Sequence, residues 1–424
     1  MNKTPALARR LGTFDAVVIG LGSMIGAGIF AAFTPAAQVA GAGLLIGLVL
    51  AAIVAYCNAT ASAQLAAAYP TSGGTYVYGR ERLGPWPGFL AGWGFIVGKA
   101  ASSAAMAMTF AAYAAPPGWE RPVAVAAVLL LVAVNYRGVT RTAALTKLIV
   151  TAVLIALAIV VAAVWGSGSA DPSRLWNGGL LGHGWYGILQ SAGLLFFAFA
   201  GYARIATMGE EVTAPRRTIP RAILIALGMV VVIYAVIALS VLSALGPAGV
   251  AGTPVPLAEA VAAGSWGWAG PVVRIGAALA ALGALLALVA GLGRTSLAMA
   301  READLPTWFA AVHPRFQVPH RAELALGAAV CVIILIADLR GAIGFSSFGV
   351  LVYYLIANLS AFTQTGSDRL YPKFLQVLGS LACVILVVTL PWESVLAGLA
   401  MFAAGLLYRA LRLRYSKPDT HKSA

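Results

Sequence analysis

Long apolar runs with almost no charge recur from one end of this chain to the other. A helix needs about 20 predominantly apolar residues to cross a bilayer, and windows of about 18 or more predict such helices. Composition agrees, since 61% of the 424 residues are apolar and 10% are charged, against about 25% charged in soluble domains. The sequence therefore predicts an all-α polytopic membrane protein. Its twelve predicted spans cover residues 14–36, 41–67, 86–113, 122–138, 143–165, 188–210, 221–244, 268–292, 322–338, 343–364, 374–391 and 394–411.

The net charge of +14 is concentrated in loops on one side of these spans. An even number of spans places both termini on the same side, and most of the 28 basic residues fall there. Arg121, Arg174, Arg274 and Arg340 fall on the opposite side. By the positive-inside rule, both termini are cytoplasmic and the chain crosses the cytoplasmic membrane. The basic excess thus indicates orientation in lipid and excludes a nucleic-acid partner.

No predicted loop is long enough to form a soluble domain, so residues 1–424 are expected to form a single transmembrane domain. The longest external loops are 166–187 and 245–267. The longest cytoplasmic loop, 293–321, begins with helical character and is expected to contain a short surface helix. Residues 1–13 and 412–424 are predicted to be the cytoplasmic N-terminus and tail.

Residues that carry enzyme chemistry are scattered. Cys57, Cys331 and Cys383 fall within spans without metal-site or disulfide spacing, and the histidines lie in loops or in the tail. No nucleophile–base pair and no set of metal ligands emerges. The sequence therefore predicts neither an enzyme nor a bound metal or cofactor.

Glycines crowd the first span and interrupt the sixth. Span 1 contains Gly20, Gly22, Gly26 and Gly28, and span 6 contains Gly201 in its middle. Glycine destabilises a helix by about 1 kcal/mol relative to alanine. Interrupted helices in corresponding positions favour an inverted-repeat transporter with a site near the midplane of the membrane. The alternative is that the glycines only allow close packing between helices.

Four blocks in this order resemble the amino acid–polyamine–organocation superfamily of permeases. FDAVVIGLGSMIGAGIF (14–30) is similar to the family's first helix, and AAAYPTSGGTYVYGRERLGPWPGFLAGW (66–93) to the junction of its second and third helices. FFAFAGYARIATMGEEVTAPRRTIPRAI (196–223) resembles the sixth helix, and GRTSLAMAREADLPTWFAAVHPRF (293–316) the loop after the eighth. The resemblance implies a 5+5 inverted repeat with broken helices 1 and 6. The repeats would be 14–165 and 188–364, with two extra helices in 374–411.

The same resemblance implies a substrate site at the two breaks. The unwound part of span 1 would bind a carboxylate through its amides, and span 6 would supply carbonyls for an ammonium and an aromatic gate, Tyr202. Free amides at the start of a half-helix favour an anion, and exposed carbonyls suit a cation, so a zwitterion fits both. The residues carried over are Ile25, Gly26, Ala27 and Gly28 in span 1, and Phe199, Ala200, Gly201 and Tyr202 in span 6.

Two of the basic residues within predicted spans, Lys99 and Arg204, are candidates for a functional role. Lys99 is near the middle of span 3, about 20 Å from its start at 1.5 Å per residue, where a charge costs at least about 2.5–3.5 kcal/mol. It is predicted to be a coupling cation or a substrate contact, with a structural lysine as the alternative. Arg204 in span 6 either extends to the cytoplasmic face and meets Glu211, or contributes to a gate or to anion binding.

These features predict secondary active transport of an amino acid by alternating access. The absence of carboxylates from the middle of the spans disfavours polyamines and favours neutral amino acids, with anionic ones admitted through Lys99 and Arg204. Proton coupling and exchange both stay open. Residues 275–293 contain no serine or threonine, and related sodium-coupled carriers use the oxygens of such residues there, so the resemblance argues against sodium coupling. The alternatives are export or exchange of cationic amino acids or organic amines, and a transporter-like amino acid sensor.

Overall fold

In a computed structural model, the chain is described over residues 11–71, 73–138, 143–176 and 178–415. Most of the predicted N-terminal segment 1–13 and of the tail 412–424 lies outside these residues. Within them the protein is helical, without strands, and Leu11 and Val212 form an isolated bridge. The α-helices are α1 Thr13–Met24, α2 Ala27–Ala31, α3 Phe33–Ala40, α4 Leu44–Ala68, α5 Gly74–Leu83, α6 Pro85–Ala114, α7 Glu120–Tyr136, α8 Ala143–Gly166, α9 Gly184–Phe199, α10 Ala203–Ala206, α11 Pro215–Ala251, α12 Pro256–Ala262, α13 Ala269–Arg301, α14 His320–Ile336, α15 Leu339–Phe362, α16 Lys373–Thr389 and α17 Trp392–Tyr415.

Nine helical segments of the described chain are long and apolar enough to cross a membrane. Helices α7, α14 and α16 have 17 residues each, which correspond to about 25 Å at 1.5 Å per residue, slightly less than the hydrocarbon core of about 30 Å. They coincide with predicted spans 4, 9 and 11. The all-helical polytopic fold is therefore confirmed, whereas the total of twelve spans stays a prediction.

Two predicted loops are partly helical. Helix α11 extends into 245–267 and ends at Ala251, after a kink at Gly246, whose φ is 67°. Helix α13 extends into 293–321 and ends at Arg301. The short surface helix expected at the start of 293–321 is therefore wrong, because these residues continue a spanning helix. This extension places residues after 292 against the interior of the bundle.

The centre of the bundle is built from small residues that let helices approach closely. Helix α6 packs along α13 and α15, and α4 packs along α9. Alanines dominate the buried faces. On α6, four of them are fully buried: Ala101, Ala104, Ala105 and Ala107. In lipid, close van der Waals packing of this kind provides much of the association between helices. The short helices α1, α2, α9 and α10 are enclosed by this framework.

Candidate substrate site between two interrupted helices

The first helix is broken next to its glycines. Helix α1 ends at Met24, and Ile25 has φ −80° and ψ 61°. Gly26 has φ −108° and ψ −140°, also outside the helical region, and α2 begins at Ala27. A Cβ on Gly26 would lie 2.8 Å from the Cβ of Ala284, so glycine is required here by the closeness of α13.

A new half-helix starts immediately after the break. Ala32 between α2 and α3 has helical φ −73° and ψ −20°, so residues 27–40 form a continuous helical run. The first amides of a helix have no partner within it, and no acceptor for those of Gly28 and Ile29 is found in the described part of the chain. The positive end of the helix dipole coincides with these amides.

The sixth span tightens instead of unwinding. Helix α9 ends at Phe199, Ala200–Tyr202 form a 3-10 turn, and α10 follows at Ala203. Tyr202 has φ −63° and ψ −22°, and Ala200 has φ −64° and ψ 1°, so the predicted break in span 6 is a change from α-helix to 3-10 helix and not an unwound stretch. Because the backbone changes here from α-helical to 3-10 hydrogen bonding, a carbonyl oxygen of this turn can accept hydrogen bonds from side chains. Ala200 O accepts from Lys99 Nζ at 3.4 Å and from the Tyr354 hydroxyl at 3.3 Å.

The two interrupted segments touch at two glycines. A Cβ on Gly28 would lie 2.6 Å from the Cα of Ala198, and a Cβ on Gly201 would lie 2.2 Å from the carbonyl oxygen of Ser23. Both distances are shorter than any side-chain contact permits, and both involve backbone. The glycines therefore have both of the roles considered from the sequence. The first helix is broken beside them, and they also allow close packing between helices.

Tyr234 joins the two segments, and the sequence-based prediction missed it. Its hydroxyl lies 2.6 Å from Met24 O and 2.9 Å from Ala198 O. Its ring packs against Phe199, with centroids 5.0 Å apart. A tyrosine in the middle of an apolar span needs a hydrogen-bond partner in lipid, and that rule is the signal by which Tyr234 could have been found.

A cavity of about 90 Å³ lies between the interrupted segments, α6 and α13. Its floor is formed by buried residues such as Gly28, Met106 and Phe197. Exposure rises toward Thr207, which is half-buried, and Arg294, which is exposed. The cavity therefore opens toward the end of the bundle where α10 and α13 end.

The start of α1 lies at that same open end, because the backbone of Leu11 pairs with the loop after α10. At the other end the cavity is closed. The Tyr113 hydroxyl donates to Phe30 O at 3.0 Å, and the two rings meet edge to face at 5.7 Å. Arg274 in turn donates to Tyr113 O at 3.2 Å. These contacts join α2 to α6 and α13 above the floor of the cavity.

Five of the ten predicted site residues line this cavity. They are Gly28, Lys99, Ala200, Gly201 and Arg204.

Four others, Ile25, Gly26, Phe199 and Tyr202, are not among its described lining residues, and the side chain of Ala27 lies outside what the structure describes. Tyr202 is fully buried and packs against Tyr354, with ring centroids 5.1 Å apart. The aromatic side chains in the cavity wall belong to Phe95 and Phe197 instead. In this conformation, Tyr202 is therefore not positioned as the predicted gate.

Lys99 lies deep in the cavity wall and is 7% exposed. Its ammonium donates to Ala200 O, and its own carbonyl accepts from the Ser103 hydroxyl at 2.9 Å. Ser102 next to it lies 2.6 Å from Ser346 of α15. No carboxylate of the described residues pairs with Lys99 within 4.0 Å.

Two arginines line the cavity nearer to its mouth. Arg204 is half-buried on α10, and no ion pair with Glu211 forms among the residues that the structure describes. Arg294 on α13 faces the same cavity. The sequence placed Arg294 in a cytoplasmic loop because span 8 was predicted to end at 292. The extension of α13 to Arg301 brings it into the wall.

Helices that cross a membrane, with an enclosed cavity at an interrupted helix and an opening at one end, define a multi-pass membrane transporter. The chain belongs to the amino acid permease family, whose model matches residues 11–408. This match confirms the resemblance seen in the sequence. It also confirms that the protein is a transporter and not an enzyme.

Relatives of the chain are likewise named as transporters or permeases. The chain is 59% identical over 407 residues to an uncharacterized transporter of Mycobacterium tuberculosis, covering 96% of this chain and 92% of that protein. It is 29% identical to cationic amino acid transporter 7 of Arabidopsis thaliana, over 92% of this chain and 72% of that protein. It is 24% identical to the branched-chain amino acid permease of Bacillus subtilis, over 97% of this chain and 95% of that protein.

Proposed function

We propose that the protein carries amino acids across the cytoplasmic membrane by alternating access, and that the cavity at the break after α1 is the substrate site. The observation that carries this proposal is that Gly28, at the start of the half-helix, and the carbonyl of Ala200, which accepts from Lys99, line the same cavity. A substrate carboxylate fits the start of the half-helix. Charge-assisted bonds of this kind contribute about 1.5–3 kcal/mol each, which holds a substrate and still allows its release.

The relatives support an amino acid substrate and differ in its side chain. The Arabidopsis protein is named for cationic amino acids and the Bacillus protein for branched-chain ones. Cationic and branched-chain amino acids share an α-carboxylate and an α-ammonium, and these are the groups that the proposed site would recognise. The sequence favours a neutral side chain and admits an acidic one through Lys99 and Arg204.

The proposed topology has twelve spans, arranged as two inverted repeats of five helices and two further helices, with both termini in the cytoplasm. In this topology the open end of the cavity faces the cytoplasm, because it is the end at which α1 starts. The closed end at Phe30 and Tyr113 then faces outward. The conformation corresponds to the inward-open state of an alternating-access cycle, and outward opening requires α2 to separate from α6.

The function is tested by counterflow in proteoliposomes preloaded with a mixture of amino acids. We expect labelled amino acid to accumulate, and to do so equally with sodium or choline as the external cation, since proton coupling or exchange is proposed. Ala287 lines the cavity and is half-buried, so Ala287→Phe is expected to abolish counterflow. Ala278 is also half-buried and lies two and a half turns earlier, on the opposite face of α13, and it supplies the control Ala278→Phe.

The possible outcomes distinguish transport through this cavity, transport through another site and binding without transport. Equal counterflow by Ala287→Phe and the unaltered protein would remove the cavity as the substrate site. An amino acid that raises the melting temperature but never accumulates would favour a sensor. If no amino acid binds or moves, the proposed function is wrong.

A further inference from the structure

The cavity wall carries positive charge from three separate helices. Lys99 of α6, Arg204 of α10 and Arg294 of α13 all line it. Among the described lining residues, none is an aspartate or a glutamate. The remaining polar lining consists of hydroxyl groups, including those of Ser102 and Thr295.

These cations are not neutralised by ion pairs in the described part of the chain. The charge of Glu211 acts on Arg204, and that of Glu323 acts on Arg294. Neither carboxylate comes within 4.0 Å of its arginine. Glu323 is 2% exposed and belongs to α14, behind the wall of the cavity and not in it.

Two other buried or half-buried cations of the chain, Arg409 and Arg80, both bind Asp304. Lys99 is also buried and Arg204 half-buried, yet no carboxylate of the described residues binds either of them. Charges in the interior of a membrane protein are costly and normally face a partner. A partner supplied from outside the chain must be an anion.

Lys99 adds a second argument, against cationic substrates. Its own ammonium group lies in the cavity wall, where it donates to Ala200 O. A substrate with a second positive charge would meet like charges at Arg204 and Arg294 as well, and like charges at close range disfavour binding.

We propose that the transported amino acid carries a net negative charge, with an acidic side chain that reaches Arg204 and Arg294 while its α-carboxylate lies at Gly28. This inference rests on the proposed function and specifies its substrate class. The guanidinium groups match a carboxylate in shape and offer paired donors. The hydroxyls of Thr207 and Thr295 lie in the same part of the wall.

The test compares isosteric substrates in the counterflow assay. Aspartate and glutamate are measured against asparagine and glutamine, which have the same size without the charge, against lysine, and against succinate and glutarate, which lack the ammonium. We expect half-saturation for an acidic amino acid at a concentration at least tenfold lower than for its amide. We expect no transport of lysine.

The variants assign the preference to the cavity. Arg294→Gln is expected to raise the KM for the acidic substrate at least tenfold, with little change for the amide, and Arg294→Lys to restore part of the preference. Arg301 is exposed on the same helix and does not line the cavity, so Arg301→Gln is expected to leave both KM values unchanged. Gel filtration of each purified variant checks folding.

Amides that are carried as well as the acids, or better, would overturn the inference and leave the proposed function intact. An unchanged preference in Arg294→Gln and Arg204→Gln would also overturn it. Transport of succinate or glutarate without any amino acid would keep an anion site and refute the proposed function. Failure of every amino acid and every dicarboxylate would refute both.

Discussion

The hydroxyl of Tyr234 lies 2.6 Å from the carbonyl oxygen of Met24, the last residue of α1 before the break. It also lies 2.9 Å from Ala198 O, one residue before the end of α9. A phenol has a single proton to donate, so the two carbonyls share one donor. Tyr234 thus connects α1 to α9 at a position that offers two alternative hydrogen bonds, and these are segments that the proposed alternating-access cycle would move relative to each other.

Removal of this hydroxyl is expected to weaken the connection without changing the packing of the ring. Tyr234→Phe removes the one donor that the two carbonyls share, while Met24 O keeps its hydrogen bond from Gly26 N at 2.9 Å, so the expected loss is about 0.5–1.5 kcal/mol. We expect a lower melting temperature and slower uptake. Tyr56 is 44% exposed on α4, and Tyr56→Phe serves as the control for loss of a tyrosine hydroxyl. Equal uptake and melting temperature in Tyr234→Phe and the unaltered protein would show that the hydroxyl has no such role.

The contact at Gly201 leaves no room for a side chain. Gly201→Ala would place a Cβ 2.2 Å from the Ser23 carbonyl oxygen, in backbone that cannot rotate away. We expect uptake to be lost or reduced at least tenfold, equivalent to about 1.4 kcal/mol in the barrier. Gly228 on α11 is exposed, with no atom within 4 Å of an added Cβ. Gly228→Ala should therefore preserve uptake and stabilise its helix by up to about 1 kcal/mol. Normal uptake by Gly201→Ala would contradict the close contact.

Residues of the site could be predicted from the sequence only where the residue type is itself unfavourable within a membrane-spanning helix. Gly26 and Gly28 marked the break because glycine is rare and costly within a helix. Lys99 stood out because a charge in mid-span needs a cavity or a partner. Both inferences depend on the residue alone, without any knowledge of how its helix is rotated.

Rotation of a helix could not be predicted where every face is apolar. The segment FFAFAGYA (196–203) has aromatic residues on several faces of the helix, so the sequence pattern did not show which of them faces the cavity. Phe197 lines the cavity, whereas Phe199 packs against α11 and Tyr202 against α15. The extent of α13 was equally hidden, because the residues after 292 are polar and resemble a loop. Arg294 was therefore missed, since its position depends on helical continuation against neighbouring helices.

Lys99 is expected to contribute both charge and a hydrogen bond to the cavity. Lys99→Met removes the donor to Ala200 O and one of three lining cations. The other two, Arg204 and Arg294, are guanidinium groups that stay charged in proteins. We expect uptake by Lys99→Met to fall at least tenfold and to lose its dependence on external pH.

The measurement is initial uptake into proteoliposomes at several external pH values, with and without an imposed proton gradient. Glu211 and Glu323, whose charges act on the two arginines, are examined as Glu211→Gln and Glu323→Gln. Ser103→Ala is the control, because Ser103 bonds the Lys99 carbonyl but does not line the cavity. Normal uptake by Lys99→Met with an unchanged pH profile would leave Lys99 a structural lysine.

Asp304 is expected to stabilise the bundle without taking part in transport. Its carboxylate is 5% exposed and accepts from Tyr76 at 2.8 Å, from Arg80 at 2.9 Å and from Arg409. Arg409 is itself buried, so Asp304→Asn leaves its charge without compensation, and breaking such a pair costs about 3–5 kcal/mol. We expect a markedly lower melting temperature in detergent.

The matched control is the exposed pair of Arg216 and Asp368, which are 3.4 Å apart at the surface. Exposed ion pairs contribute about 0–1 kcal/mol, so Asp368→Asn should barely change the melting temperature. The Asp304→Asn protein that remains folded at low temperature should keep the KM of the unaltered protein, because Asp304 does not line the cavity. An altered KM at unchanged stability would instead make this cluster part of the transport mechanism, with the pairs to Arg80 and Arg409 opening and closing during the cycle.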